Sequence, residues 1–127
     1  MTKLMPGVKR EDLLPADDPG EGLRIAEEAA RQLKAVYAER LRRVVLFGSW
    51  VTGEPHEESD VDLIIVFDRI ENRARERDRL VDVLYDLEVK SHRAIQAFPV
   101  SEAGALSGQQ PFVAAALREG TPLGGWS

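Results

Sequence analysis

The sequence predicts an α/β (α+β) domain, one small mixed β-sheet flanked by helices. Two observations predict it. Segments with apolar residues every three or four positions alternate with short, wholly apolar runs, in the order α-β-β-α-β-α. The chain is also 127 residues long and 43% hydrophobic, enough for one core of ordinary size and with no room for a second, substrate-binding domain.

Residues 1–22 hold Pro6, Gly7, Pro15, Pro19, Gly20 and Gly22 and read as a loosely structured lead-in to a domain over 23–123. A helix is expected over 20–42, with Leu23, Ala26, Ala30, Leu33, Tyr37 and Leu41 as its buried stripe and Asp17, Asp18 and Pro19 supplying its start. Val44 to Phe47 is a buried strand that stops at Gly48-Ser49. Residues 50–59 read as a connection, and 61–67 as a second strand opening within the pair Asp60 and Asp62. Residues 70–88 are helical, polar early and apolar late, with Leu80, Val83, Leu84 and Leu87 buried. A third strand follows over 94–100. A last helix over 111–119 closes at Gly120 as its C′ residue, and 124–127 form a tail.

Charge narrows the function. Seventeen Lys+Arg against 22 Asp+Glu give a formal net charge of −5, so no long nucleic acid is expected as a partner, because that needs clustered positive charge. Nucleotides held through a cation remain open. The absence of cysteine excludes disulfides, thiolate zinc sites and cysteine nucleophiles. Apolar runs such as 63–67 are far short of a membrane span, and no apolar stretch follows Lys3, Lys9 and Arg10, so a cytoplasmic location is expected.

The informative stretch is Leu46-Phe47-Gly48-Ser49, ten residues, then Asp60-Val61-Asp62. On a strand, residues i and i+2 share a face, so the two carboxylates project side by side and repel. Hard oxygen ligands of this kind suit Mg²⁺, which binds through one or two carboxylates plus substrate phosphates, and metal ions so held clamp the oxygens of a phosphoryl displacement. A glycine directly after a buried strand lets backbone and ligand approach, and the Ser49 hydroxyl with nearby N–H groups can donate to a triphosphate.

The pattern Gly-Ser, ten residues, Asp-x-Asp resembles the signature of minimal nucleotidyltransferases in the DNA polymerase beta-like superfamily, across about residues 23–123. The segment Leu117-Arg118-Glu119-Gly120 is similar to that family's closing helix. The resemblance implies transfer of a nucleoside monophosphate, AMP from ATP, to an acceptor hydroxyl. Gly48 and Ser49 would then contact the triphosphate, and Asp60 and Asp62 would hold Mg²⁺ as catalytic metal ligands. It also implies a partner, a small helical HEPN-type protein with which such chains pair as antitoxin and toxin, and it leaves room for homo- or hetero-oligomers. The family's third carboxylate falls on the next strand, where this chain has Gln96. An amide brings an oxygen but no charge, so the alternative is a catalytically weak or inactive nucleotide-binding module that acts by binding its partner. Glu88 or Glu102 are the acids near enough in sequence to substitute.

Other features have plainer readings. His56 is expected to be a solvated loop histidine. Arg69, Arg73 and Arg77, interleaved with Glu71, Glu76 and Asp78, make a solvated face. Trp50 either stacks on a base or packs, and Trp126 belongs to the tail.

Overall fold

The computed structural model describes residues 13–124. Lys3, Lys9, Arg10 and Trp126, with most of the lead-in and tail, lie outside the described residues. Helix α1, Glu21–Tyr37, buries Gly22, Ile25, Ala26, Ala29, Ala30, Leu33 and Tyr37. Leu23, expected in that stripe, is 39% exposed instead. The helix turns Gly22 inward because Trp50 sits there: a Cβ on Gly22 would lie 2.2 Å from the indole ring. Asp18 acts at the start, its Oδ1 accepting from the Gly20 N–H at 2.9 Å.

The helix ends at Tyr37 rather than at residue 42. Ala38 takes φ 52°, a short 3₁₀ turn spans Ala38–Arg40, and strand β1 runs over Leu41–Phe47. Leu41 continues the helical spacing of the stripe, yet it is buried as a strand residue opposite Phe67. Pairing with a second strand outweighs local periodicity here. Ser49–Thr52 form a single-turn helix, α2, within the expected connection. Strand β2 is Val61–Phe67.

Helix α3 is Arg73–Ser91, a few residues later at both ends than the sequence predicts. Asn72 Oδ1 caps it by accepting from the Arg75 N–H, and left-handed His92 ends it. Strand β3 is Ile95–Ser101. Ser101 then caps α4, Glu102–Ser107, which periodicity did not predict. Helix α5, Pro111–Glu119, begins on proline. At Gly120 a Cβ would meet the Ala116 and Leu46 carbonyl oxygens at 2.5 and 2.6 Å. Glycine there serves a close approach to β1, not a left-handed turn. A three-residue strand, β4 over Thr121–Leu123, follows.

The sheet order is β3-β2-β1-β4. β1 pairs antiparallel with β2 and β4, and β2 pairs parallel with β3, so the sheet is mixed, as expected. Helix α3 is the crossover that a parallel pair requires. Helices α1 and α3 cover one face, over Val44, Leu46, Val61, Leu63, Ile65 and Phe67. Helices α4 and α5 partly cover the other, over Val45, Ile64, Val66 and Val100. Among the described residues no helix is long and apolar enough to cross a membrane.

Candidate active site

Side chains alternate along β2, so Asp62 shares its face with Ile64 and Val66, toward α4 and α5. It lies opposite Phe47 on β1 and opposite Gln96 on β3, which sets Phe47, Asp62 and Gln96 in one row across the sheet. The chain leaves β1 at Gly48 with φ 85°. A Cβ added there would fall 2.6 Å from Asp62 Oδ2, so only glycine lets the bend rest against this carboxylate. Asp60 is 8% exposed and Asp62 half-buried. Burial raises the Asp62 pKa above 3.8, and the neighbouring Asp60 charge pushes the same way. The sequence-predicted bend and the Asp-x-Asp pair therefore meet at one end of the sheet.

A second layer fixes that end, and sequence reasoning missed its centre. Arg93, just past α3, is almost wholly buried. Its Nη1 donates to the Ser59 carbonyl at 2.9 Å and the Glu57 carbonyl at 3.1 Å, while Nε donates to Glu21 at 2.8 Å. The guanidinium also lies 4.8 Å from the Trp50 ring centre. Trp50 packs rather than standing open, and its indole N–H donates to the Asp60 carbonyl at 3.1 Å. One arginine so ties α1, α2 and the 57–60 loop together. No local signal marks it, since its partners are distant in sequence. His56 is buried, contrary to the solvated reading. Its N–H donates to Ser59 Oγ at 2.9 Å, and its ring Nδ1 lies 3.3 Å from the same oxygen. Ser59 Oγ in turn lies 3.1 Å from Ser49 Oγ. The loop is folded inward because residues 14–16 pair with 55–57, through Ala16 N–H to the Pro55 carbonyl and Glu57 N–H to the Leu14 carbonyl.

The other acids are elsewhere. Glu88 Oε2 accepts from the Ile95 N–H at 2.8 Å and is committed to the sheet edge. Glu102 begins α4 beside Arg42, 3.7 Å away, at the far end of β3, about 20 Å along the strand from Gln96. Neither supplies the position that Gln96 occupies. Among the described residues no three acidic, histidine or cysteine side chains gather as a metal-holding group. The donor set at this end is two hard carboxylates with an amide oxygen in the same row. That set fits Mg²⁺, which completes its shell with water and phosphate oxygens.

Beside the bend lies an open, mostly apolar cleft of about 280 Å³ between Gly48, Val51 and α5. Phe47, Phe98 and Phe112 wall this side of the sheet, their ring centres 5.5–6.3 Å apart. A cavity of about 440 Å³ at the opposite end of the sheet holds Arg40, Asp68 and Glu76. Arg40 is paired there with Glu76 at 2.9 Å and with Asp68 at 3.6 Å, and the site residues lie elsewhere. Arg69, Arg73 and Arg77 are exposed, as expected of a solvated face, but Glu76, read as part of that face, is buried because it turns inward to pair with Arg40.

Comparison with known proteins points the same way. A family model described as a nucleotidyltransferase domain matches residues 24–107. A Methanocaldococcus jannaschii protein with the provisional name of protein adenylyltransferase is 34% identical over 76 residues, 60% of this chain and 70% of that protein. Another from the same organism, provisionally named alike, is 39% identical over 46 residues, 36% of this chain and 46% of its own length. The chain thus spans about half of that second relative. A crystal structure of a mutant toxin-antitoxin MntA-HpeT superposes with a TM-score of 0.53 at 18% identity, covering 78% of this chain and 72% of that one. At that identity the likeness is one of fold.

Proposed function

This chain belongs to the nucleotidyltransferase domain family, and we propose that, through its 23–123 unit, it transfers AMP from ATP to a hydroxyl group of an acceptor protein. The observation that carries the reading is the contact of the Gly48 bend with the Asp62 carboxylate, Asp60 being two residues away on the same strand entry. Gly48 and Ser49 would orient the triphosphate, and Asp60 and Asp62 would hold Mg²⁺. When bound, the ion offsets the charge of the phosphates. The acceptor hydroxyl oxygen attacks the α-phosphorus in line and its proton passes to water, the bond from that phosphorus to the α–β bridging oxygen breaks, and pyrophosphate leaves with the electron pair. Such transfers rest on positioning and charge stabilisation more than on covalent chemistry by the protein. The packed Trp50–Arg93 layer supports this role by holding the Asp60 backbone in place.

The adenylyl specificity is supported by the provisional names of the two archaeal relatives. For the acceptor, the toxin-antitoxin setting of the fold neighbour and the family resemblance support a small helical HEPN-type protein. A second reading is favoured by Gln96, which stands in register with Asp62. An amide takes no proton from the acceptor hydroxyl and adds no charge, so the chain would then bind nucleotide and partner with little turnover.

The test uses Mg²⁺, ATP labelled at the α-phosphate and such a partner, purified. Transfer of label to the partner, abolished by Asp60→Asn, is the expected result. A tight stoichiometric complex without label supports the second reading, and Gln96→Asp should then create activity. A folded chain that neither labels a partner nor binds ATP with Mg²⁺ overturns the enzyme reading.

A further inference from the structure

Helix α3 carries a line of uncovered apolar side chains. Val81, Tyr85 and Val89 follow one another at four-residue spacing, so they lie along one side of the helix, and they are 56%, 60% and 54% exposed. A second line runs beside it at the same spacing, Asp78, Asp82 and Asp86, all exposed. Among the described residues no ion pair involves these three aspartates. On its other side the stripe runs into a groove of about 360 Å³ between α3 and β3, lined in part by Val81, Leu84, Ile95 and Gln96.

The groove borders an edge strand, but that edge is closed to strand addition. The Val61 N–H donates to the Ala94 carbonyl, so residues 94, 96, 98 and 100 pair with β2, and 95, 97, 99 and 101 face outward. The Ile95 N–H is taken by Glu88, and Pro99 has none. Two outward donors, Ala97 and Ser101, are left, four residues apart with Pro99 between them, too few for a ladder. A helix needs no such ladder. It needs an apolar line with charges beside it.

We propose that this surface seats one amphipathic helix of a partner protein, its apolar side chains on Val81, Tyr85 and Val89 and a row of Lys or Arg against Asp78, Asp82 and Asp86. A second copy of this chain fits less well. An antiparallel two-fold contact sets the aspartate rows against each other, and each chain carries a formal net charge of −5. Gln96 borders the same groove at the sheet edge, but Asp62 faces α4 and α5 on the other side of the sheet, so the seat stands independently of the function proposed above.

The probe is a synthetic helical peptide of about 18 residues, five turns, with a leucine stripe flanked by lysines, and a twin flanked by glutamates. Binding to the full chain is read by anisotropy and by amide NMR shifts. The lysine peptide should bind about tenfold or more tightly than its twin, with falling preference as salt rises, and should shift the amides of residues 78–89. Tyr85→Glu should remove binding, and the pair Asp82→Lys with Asp86→Lys should invert the preference, ATP binding staying as in the wild type. Equal affinity for the two peptides, binding indifferent to Tyr85→Glu, or a dimer in sedimentation that Tyr85→Glu dissolves overturns the proposal. Loss of ATP binding by the unaltered chain would count against the enzymatic reading alone and leave the helix seat standing.

Discussion

On the face of β2 that meets α1 and α3, Val61, Leu63, Ile65 and Phe67 are all sealed from solvent. On the opposite face Ile64 and Val66 are sealed beneath α4 and α5, whereas Asp62, next in the same line, is only half-buried. The strand is the same and the cover differs. Full burial of an ionised carboxylate is costly, so an acid survives in this strand only where the helical cover stops, at the row of Phe47, Asp62 and Gln96. Partial cover already raises the Asp62 pKa. The molecule seals one face for stability and leaves the end of the other open.

Substitutions on the two faces should therefore fail in different assays. Phe67→Ala, in the sealed face and edge-on to Tyr37 at 4.8 Å, should cost about 4 kcal/mol of stability, read from the denaturant midpoint. Asp62→Asn should leave the denaturant midpoint unchanged or higher while lowering labelling about 100-fold or more, ~2.7 kcal/mol in barrier. A variant of Asp62 that unfolds the chain would erase the contrast. Arg93→Met removes hydrogen bonds from a nearly buried guanidinium and should cost about 2 kcal/mol. It should also red-shift Trp50 fluorescence, and Arg93→Lys should restore neither, because the carbonyls are met by a planar fork. Gly48→Ala combines a positive φ with a clash on Asp62, at about 1 to 2 kcal/mol; calorimetric melting measures it.

The smallest effect is in pH. The folded-state pKa of Asp62 is raised, chiefly by burial and then by Asp60. In metal-free protein its contribution to stability is therefore complete below the ordinary value of 3.8 and is lost as pH rises through the raised one. Above that window Asp62→Asn should melt higher than the wild type, by under about 1 kcal/mol. The gap should close on acidification, in melts run between about pH 3 and pH 7.

Much of the fold was readable because long elements carry a clear period. The core of α1, the inner residues of β1, all of β2 and most of α3 follow their apolar spacing. Helices α2 and α4 have four and six residues, too short for a 3.6-residue period to repeat. β4 is Thr-Pro-Leu, which reads as a turn until its pairing with Val44 to Leu46 is known. Leu41 fits both a helix stripe and a strand, and only its partner Phe67 decides. At the candidate site, the meeting of the Gly48 bend with Asp62 was legible because both lie where two neighbouring paired strands end and begin. Arg93 and buried His56 were not: Arg93 finds its partners in α1 and the 57–60 loop, and His56 is turned inward by the pairing of residues 14–16 with 55–57, contacts that no local window contains.

The most direct test of the central idea is calorimetric titration of ATP into the purified chain, with and without Mg²⁺, beside Asp62→Asn. The account predicts that Mg²⁺ tightens binding in the wild type and that Asp62→Asn loses about tenfold or more of this gain, ~1.4 kcal/mol. Equal Mg²⁺-dependent affinity in the two proteins would contradict it.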